Sequence, residues 1–192
     1  WLEKKAPDSV ELEDYCHAVE HSIEFQVLFL QRIYGPDVRV VPILCGAFIE
    51  ALYEPGNRRP EANDGVRAFF DALGEYAERE QNKLAWVLGI DMAHMGRRYG
   101  DDFIARADQG QMQRVAQRDE GRMKAMREGN AASFWDQVLE NGDDLKWCGS
   151  SPVYTFLKAN PTMRGDLLRY QQWNIDEQSV VSFGALAFQA IP

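Results

Sequence analysis

One apolar segment constrains the fold of this chain more than any other feature of its sequence. Residues 84–90 read Leu-Ala-Trp-Val-Leu-Gly-Ile, a run without a single charged or polar side chain. A run of this length without polar alternation is typical of a strand that helices cover on both faces. We therefore predict a central strand over 84–90, followed by a loop over 91–102 at its carboxyl end.

The rest of the chain alternates between helical and strand patterns. Apolar periodicity and turn residues predict helices over about 21–34, 64–79, 111–127 and 131–139, and another that follows Gly149 and ends before Asn160. They predict strands over 38–46, 167–173 and 180–189. The segments 8–18 and 53–60 are predicted loops. We expect the last two strands to pair as an antiparallel hairpin. This alternation predicts one α/β domain over residues 1–192, with a central, mostly buried mixed sheet and helices on both faces.

Composition and charge argue against several classes of protein. The formal net charge is -9, and Lys and Arg form no basic patch of the kind that nucleic-acid binding requires. No apolar run approaches the ~20 residues of a membrane-spanning helix, so we expect neither nucleic acid nor membrane as a partner. The three cysteines are few and odd in number, which argues against a disulfide framework. They favour a reducing compartment, and we expect a cytoplasmic protein.

Four residues with chemically useful side chains lie where predicted elements begin or end. His21 starts a helix, Asp91 and His94 follow the apolar run, and Cys148 precedes a helix. Because α/β proteins place ligand sites at the carboxyl ends of strands, we expect these side chains to converge on one cleft. The positive end of the helix should lower the pKa of the Cys148 thiol and favour thiolate. Each residue also has a plain structural interpretation, as a hydrogen-bonded histidine or a small buried cysteine.

The segment His17-Ala18-Val19-Glu20-His21 matches a pattern found in inverted zinc proteases. In those enzymes two histidines one helical turn apart hold zinc, and the glutamate is the base. That geometry needs one helix through Cys16 to Ser22, whereas the apolar periodicity here begins only after His21. We therefore expect His17 to lie outside the site and set the protease hypothesis aside.

Three motifs together resemble the Memo family, also called AmmeMemoRadiSam system protein B. They occur in the family's order and span most of the chain. The matching stretches are Glu20-His21-Ser22-Ile23-Glu24-Phe25-Gln26, Asp91-Met92-Ala93-His94-Met95-Gly96 and Cys148-Gly149-Ser150-Ser151-Pro152. Gly89-Ile90 departs from the family's Ser-Ser before the aspartate. The family also has a histidine in an N-terminal segment, so we expect residues 1–192 to be a single Memo-like domain that lacks this segment.

The resemblance implies the fold of class III extradiol dioxygenases and a transition-metal site. It implies His21 and Cys148 as metal ligands, with His94 and Asp91 as a catalytic acid/base pair. Iron is the expected metal, with copper and zinc as alternatives, because a thiolate is a soft ligand. The implied function is that of a metal-binding, redox-active protein whose cleft takes a small molecule or peptide. The alternative is a non-catalytic pseudo-enzyme that binds such a ligand without turnover, so enzyme activity is left open.

Overall fold

The computed structural model describes residues 1–13, 15–80 and 83–190. Within these ranges the chain forms helices and a small sheet, which confirms the α/β class. The α-helices are α1 (Leu2–Lys5), α2 (Tyr15–Val19), α3 (Ser22–Tyr34), α4 (Ile49–Tyr53), α5 (Asp64–Arg79), α6 (Gln111–Arg127), α7 (Ala131–Leu139) and α8 (Ser150–Ala159), and the strands are β1 (His94–Gly96), β2 (Met163–Asn174) and β3 (Ser179–Ala190). Short 3₁₀ turns cover Pro60–Ala62, Arg97–Tyr99 and Glu140–Gly142.

The sheet has the order β1-β3-β2, and both of its strand pairs are antiparallel. The predicted hairpin is confirmed, with longer arms than expected. In the described part of the chain the sheet is therefore antiparallel, and the prediction of a mixed sheet is wrong. The buried residues of the sheet are Ser179 to Ser182 at the start of β3 and Met95 and Gly96 in β1. Farther along β3, partly buried and exposed residues alternate, which is typical of a sheet with one face in solvent.

The predicted strands 84–90 and 38–46 belong to no sheet in the described part of the chain. Trp86 and Leu88 pack against the core, whereas Val87 is 48% exposed and Val41 is 72% exposed. The prediction of a central, doubly covered strand is wrong here. A strand exists only where a neighbour completes its ladder of hydrogen bonds, and a local sequence pattern contains no information about that neighbour.

The helices that we predicted are present, because helical hydrogen bonds are local. Asn63 begins α5 by accepting the N–H groups of Gly65 and Val66 through its side chain. Helix α6 lies against β2, α7 packs on α6, and α8 packs on α7 and α5. Their contacts enclose the core around Phe134, Trp135 and Tyr154. Of the described helices, none has both the length and the apolar character needed to cross a lipid bilayer.

Helix α3 is attached much more loosely than the others. None of its residues is buried, and Phe25, Leu28 and Phe29 are all more than half exposed. Their helical spacing places these three side chains on one side of α3, which we call the apolar face. Residues before α4 thus contribute few buried side chains, and the core cluster is built by residues from α4 onward.

The unpaired state of 84–90 has a measurable consequence. Among the described residues, no backbone carbonyl accepts a hydrogen bond from the amides of this segment. In the 192-residue chain we expect these amides to exchange with solvent deuterium at least about 100-fold faster than those of Val180 and Val181 in β3. Hydrogen exchange read by NMR or mass spectrometry measures the difference. Equal protection of the two segments would contradict the described pairing.

Candidate metal centre

The segment that carries Asp91 and His94 is held against the buried start of β3. Met92 donates its N–H to the Ser182 carbonyl at 3.0 Å, and Ser182 donates its own N–H to the Ala93 carbonyl at 2.9 Å. Ala93 in turn donates its N–H to Ser182 Oγ at 2.8 Å. Met92 and Ala93 are buried. Three hydrogen bonds to Ser182 therefore fix the backbone between Asp91 and His94.

The loop that carries Cys148 is bound directly to this segment. His94 donates its N–H to the Leu145 carbonyl at 2.9 Å, and Gly149 donates its N–H to the Asp91 carbonyl at 3.3 Å. A Cβ atom at Gly149 would lie 2.6 Å from Ile90 Cδ1, so the absence of a side chain permits the close approach. The two loops are thus locked together before α8 begins.

The His94 ring is oriented by backbone carbonyls. Its Nδ1 lies 2.9 Å from the Met92 carbonyl oxygen and 3.0 Å from the Lys146 carbonyl oxygen. Carbonyls only accept, so Nδ1 carries the hydrogen, and Nε2 is left with the lone pair of the neutral ring. Nε2 lies 3.9 Å from Asp91 Oδ2. The two backbone carbonyls thus select the Nδ1–H tautomer and leave Nε2 facing the Asp91 carboxylate.

Asp91 and His94 come together with Cys148, although Cys148 is far from both in sequence. One ligand atom from each lies within 4.8 Å of the other two. Asp91 and Cys148 are exposed, so the cluster opens to solvent, while the His94 side chain is only 17% exposed. The expected convergence therefore holds for three of the four candidate residues.

His21 is not part of this cluster of ligand atoms. It forms the N-cap of α3, its side chain is 78% exposed, and its Nδ1 lies 3.5 Å from Glu20 Oε1. It nevertheless lies near the cluster. A Cβ atom at Gly89 would be 2.8 Å from the carbonyl oxygen of Ser22, which places the start of α3 beside the segment leading to Asp91. The role of His21 as a ligand stays a prediction.

The Cys148 thiol is not activated in the way its position before a helix suggested. Burial among protein atoms raises the pKa of the thiol, and the charges of Asp91 and Glu20 raise it further, against a lowering hydrogen bond from the Asp91 N–H. That N–H donates to Cys148 Sγ at 3.4 Å. The expectation of a lowered pKa is wrong, because desolvation of the thiolate outweighs the backbone hydrogen bonds that favour it. A cation beside the thiol would reverse this balance.

The protease geometry is not formed. Helix α2 contains His17 and ends at Val19, and α3 begins only at Ser22. Between them Glu20 accepts the backbone N–H groups of His21 and Ser22, each at 2.8 Å. The Glu20 carboxylate thus binds backbone amides at the start of α3. The single helix that would place His17 and His21 on one face does not exist, as we predicted.

Asp119 is a candidate that the sequence pattern did not suggest to us. It is fully buried in α6 and accepts hydrogen bonds from Trp147 and Ser182, which support the site. A detectable signal existed, because Val115, Asp119 and Met123 share the buried stripe of one helix. A carboxylate at a core position of a helical pattern indicates a polar network inside the protein.

The three clustered donors suit a transition metal. Ligand atoms lie about 2.0–2.3 Å from such an ion, so two of them are at most about 4.5 Å apart. Small side-chain rotations therefore suffice to bring the three atoms around one ion. A thiolate, an imidazole and a carboxylate together fit iron, zinc or copper better than magnesium or calcium, which prefer oxygen ligands.

This chain is similar in sequence to proteins of one family. A curated MEMO1 family protein from Thermococcus kodakarensis is 27% identical over 189 residues, covering 93% of this chain and 60% of the relative. Another, from Desulfurococcus amylolyticus, is 24% identical over 183 residues, covering 93% of this chain and 54% of the relative. The chain thus spans little more than half the length of these relatives. A family model described as Memo-like protein matches residues 2–187, and the chain therefore belongs to the Memo-like protein family.

Proposed function

We propose that this chain is a metal-binding, redox-capable member of its family, and that the metal lies against Cys148 beside Asp91 and His94. The observation that carries the proposal is the convergence of a sulfur, a nitrogen and an oxygen donor within 4.8 Å of one another. The fixed tautomer of His94 supports it. Metal-binding histidines characteristically donate their second ring N–H to a carbonyl or carboxylate, and Nδ1 here meets two carbonyl oxygens.

Two sets of ligands use these residues, and both include Cys148. In the first, His94 and Asp91 join Cys148 as ligands, which the distances favour. In the second, which the family resemblance implies, His21 joins Cys148, and His94 with Asp91 serves as the acid/base pair. His21 is exposed and unconstrained, so turning its ring towards the cluster costs little side-chain packing. Substitution of each histidine separates the two sets.

The proposed chemistry is redox chemistry at an open metal site. A bound iron or copper ion would supply one-electron transfer and positions for a substrate or dioxygen. In the second ligand set, His94 Nε2 would take up the substrate's acidic proton as the base, and Asp91 would stabilise the imidazolium form. Ring cleavage does not follow from the family resemblance, because the resemblance implies that Cys148 takes the position where extradiol dioxygenases have a carboxylate.

A pseudo-enzyme remains the second candidate function, and one observation favours it. The raised pKa of the Cys148 thiol keeps the sulfur protonated at neutral pH unless a cation binds. A chain that binds no metal would therefore present a neutral thiol, a histidine and a carboxylate as a recognition site for a small molecule or peptide.

The first test of this proposal is titration with Co(II), whose thiolate complexes have a strong charge-transfer band. We expect the parent protein to show that band, and Cys148→Ser to lose it because a hydroxyl is a much poorer ligand than a thiolate. Cys16→Ser is the matched control, because Cys16 is exposed and lies outside the cluster. A parent protein without the band, or a Cys148→Ser variant that keeps it, would favour the pseudo-enzyme.

The ligand sets are distinguished by His21→Ala and His94→Ala in the same titration. Loss of a ligand should weaken Co(II) binding by more than the about 10–100-fold that follows loss of a residue acting behind a ligand. If the distances define the set, His94→Ala has the larger effect. A larger effect of His21→Ala would instead assign the acid/base role to His94.

The pKa of Cys148 gives a further prediction that requires no metal. Because the pKa is raised, the thiolate fraction at neutral pH is below that of an ordinary thiol, and alkylation by iodoacetamide should accelerate only as the pH rises above the usual thiol range. Asp91→Asn removes one of the charges that raise the pKa, so its alkylation curve should shift to lower pH. Mass spectrometry of the Cys148 peptide measures both curves. An unchanged curve in Asp91→Asn would contradict the electrostatic account.

A further inference from the structure

Asp119 forms a buried polar network behind the metal centre. Its side chain is fully buried in α6 and accepts three hydrogen bonds. Oδ1 accepts from Trp147 Nε1 at 2.8 Å, and Oδ2 accepts from the Tyr170 hydroxyl at 2.7 Å and from Ser182 Oγ at 2.6 Å. Three donors from three separate segments thus converge on one carboxylate.

Two of these donors belong to the supports of the site. Trp147 immediately precedes Cys148. Ser182 Oγ donates to Asp119 and at the same time accepts the N–H of Ala93, the residue before His94. A single carboxylate therefore reaches both loops of the cluster, through one direct hydrogen bond on the Cys148 side and a two-bond relay on the His94 side.

Among the described contacts, the third donor, Tyr170, makes no hydrogen bond to either loop of the cluster. It lies on β2, its hydroxyl accepts from Gln172 Nε2 at 3.0 Å, and it lies beside the Ser182 hydroxyl on the shared carboxylate. Burial raises the pKa of Tyr170 above its ordinary range, and the Asp119 charge adds to the effect, so the hydroxyl stays a donor. Tyr170 thus supplies a matched control within the same network.

Hydrogen bonds and a nearby charge partly offset the cost of burying Asp119. Burial raises the pKa of the carboxyl, while the three hydrogen bonds and the charge of Arg122 oppose that rise. Arg122 is itself held by Asp143 at 3.0 Å and lies over the Trp147 ring. Because desolvation of a buried carboxylate is costly, stability alone does not explain its place in the core. Its directional hydrogen bonds, by contrast, fix the loops relative to each other.

We infer that Asp119 and Ser182 are positioning residues of the centre, which set the separation and orientation of His94 and Cys148 through Ala93 and Trp147. The inference rests on the proposed function only in taking His94 and Cys148 as residues of the metal site. Neither Asp119 nor Ser182 touches the ligand atoms. Their effect is transmitted through the backbone on one side and the Trp147 indole on the other.

The test uses Ser182→Ala and Asp119→Asn, with Tyr170→Phe as the control that also removes one hydrogen bond from the same carboxylate. The primary measurement is the tautomer of His94, read from its ¹⁵N shifts by NMR without any metal. In the parent and in Tyr170→Phe we expect the Nδ1–H tautomer. In Ser182→Ala the Ala93 N–H loses its acceptor, the carbonyl of Met92 shifts, and the His94 signals should move towards a mixture of both tautomers.

The second measurement is Co(II) affinity, which we expect to fall about 10–100-fold in Ser182→Ala and Asp119→Asn and by less than about threefold in Tyr170→Phe. If Ser182→Ala is folded and keeps the parent tautomer, or if all three variants lose affinity equally, the positioning role is overturned. Should Asp119→Asn fail to fold, Ser182→Ala alone decides. A changed tautomer in a protein whose parent binds no Co(II) would refute the proposed function while supporting the positioning role.

Discussion

The junction between Ser182 and residues 92–93 is the interaction on which the site depends. It joins a long hairpin, whose hydrogen bonds are cooperative, to a segment that has no ladder of its own. The backbone bonds to Met92 and Ala93 continue the sheet by a few residues, and the hydroxyl adds a bond that no apolar side chain at position 182 could make. The rigidity of β2 and β3 is thereby extended to Asp91 and His94, the two residues that flank the junction.

The sequence predicted the local elements well and the non-local ones poorly. Helices α3, α5, α6 and α7 follow from apolar spacing and from turn residues, because each helix completes its own hydrogen bonds. The apolar run 84–90 has a strong strand pattern, yet the described part of the chain provides it with no partner. The short strand His94–Gly96, which has almost no pattern of its own, is paired because β3 lies beside it. Pairing depends on the neighbour, and a single segment does not reveal its neighbour.

The candidate site shows the same division. The proximity of Asp91, His94 and Cys148 was predictable, because each lies where an element begins or ends. The carbonyls of Met92 and Lys146 that orient His94 were not, since they are main-chain atoms of two loops that meet only in the fold. The prediction for the pKa of Cys148 was wrong for a related reason. The position before a helix is a local feature visible in sequence, whereas the desolvation that raises the pKa comes from the surrounding chain.

The two ligand sets therefore differ in how firmly the fold holds them. Asp91, His94 and Cys148 lie on loops fixed to β3 and to the buried Asp119 network, so their mutual distances are set by the best-packed part of the chain. His21 begins α3, a helix without a single buried residue, and its ring is anchored only near Glu20. A ligand on a loosely held helix must be ordered when the metal binds, and that ordering lowers the affinity. Contact with the apolar face of α3 would order the helix before the metal binds. If His21 is a ligand, metal affinity should therefore depend on what packs on that face, whereas affinity through His94 should not.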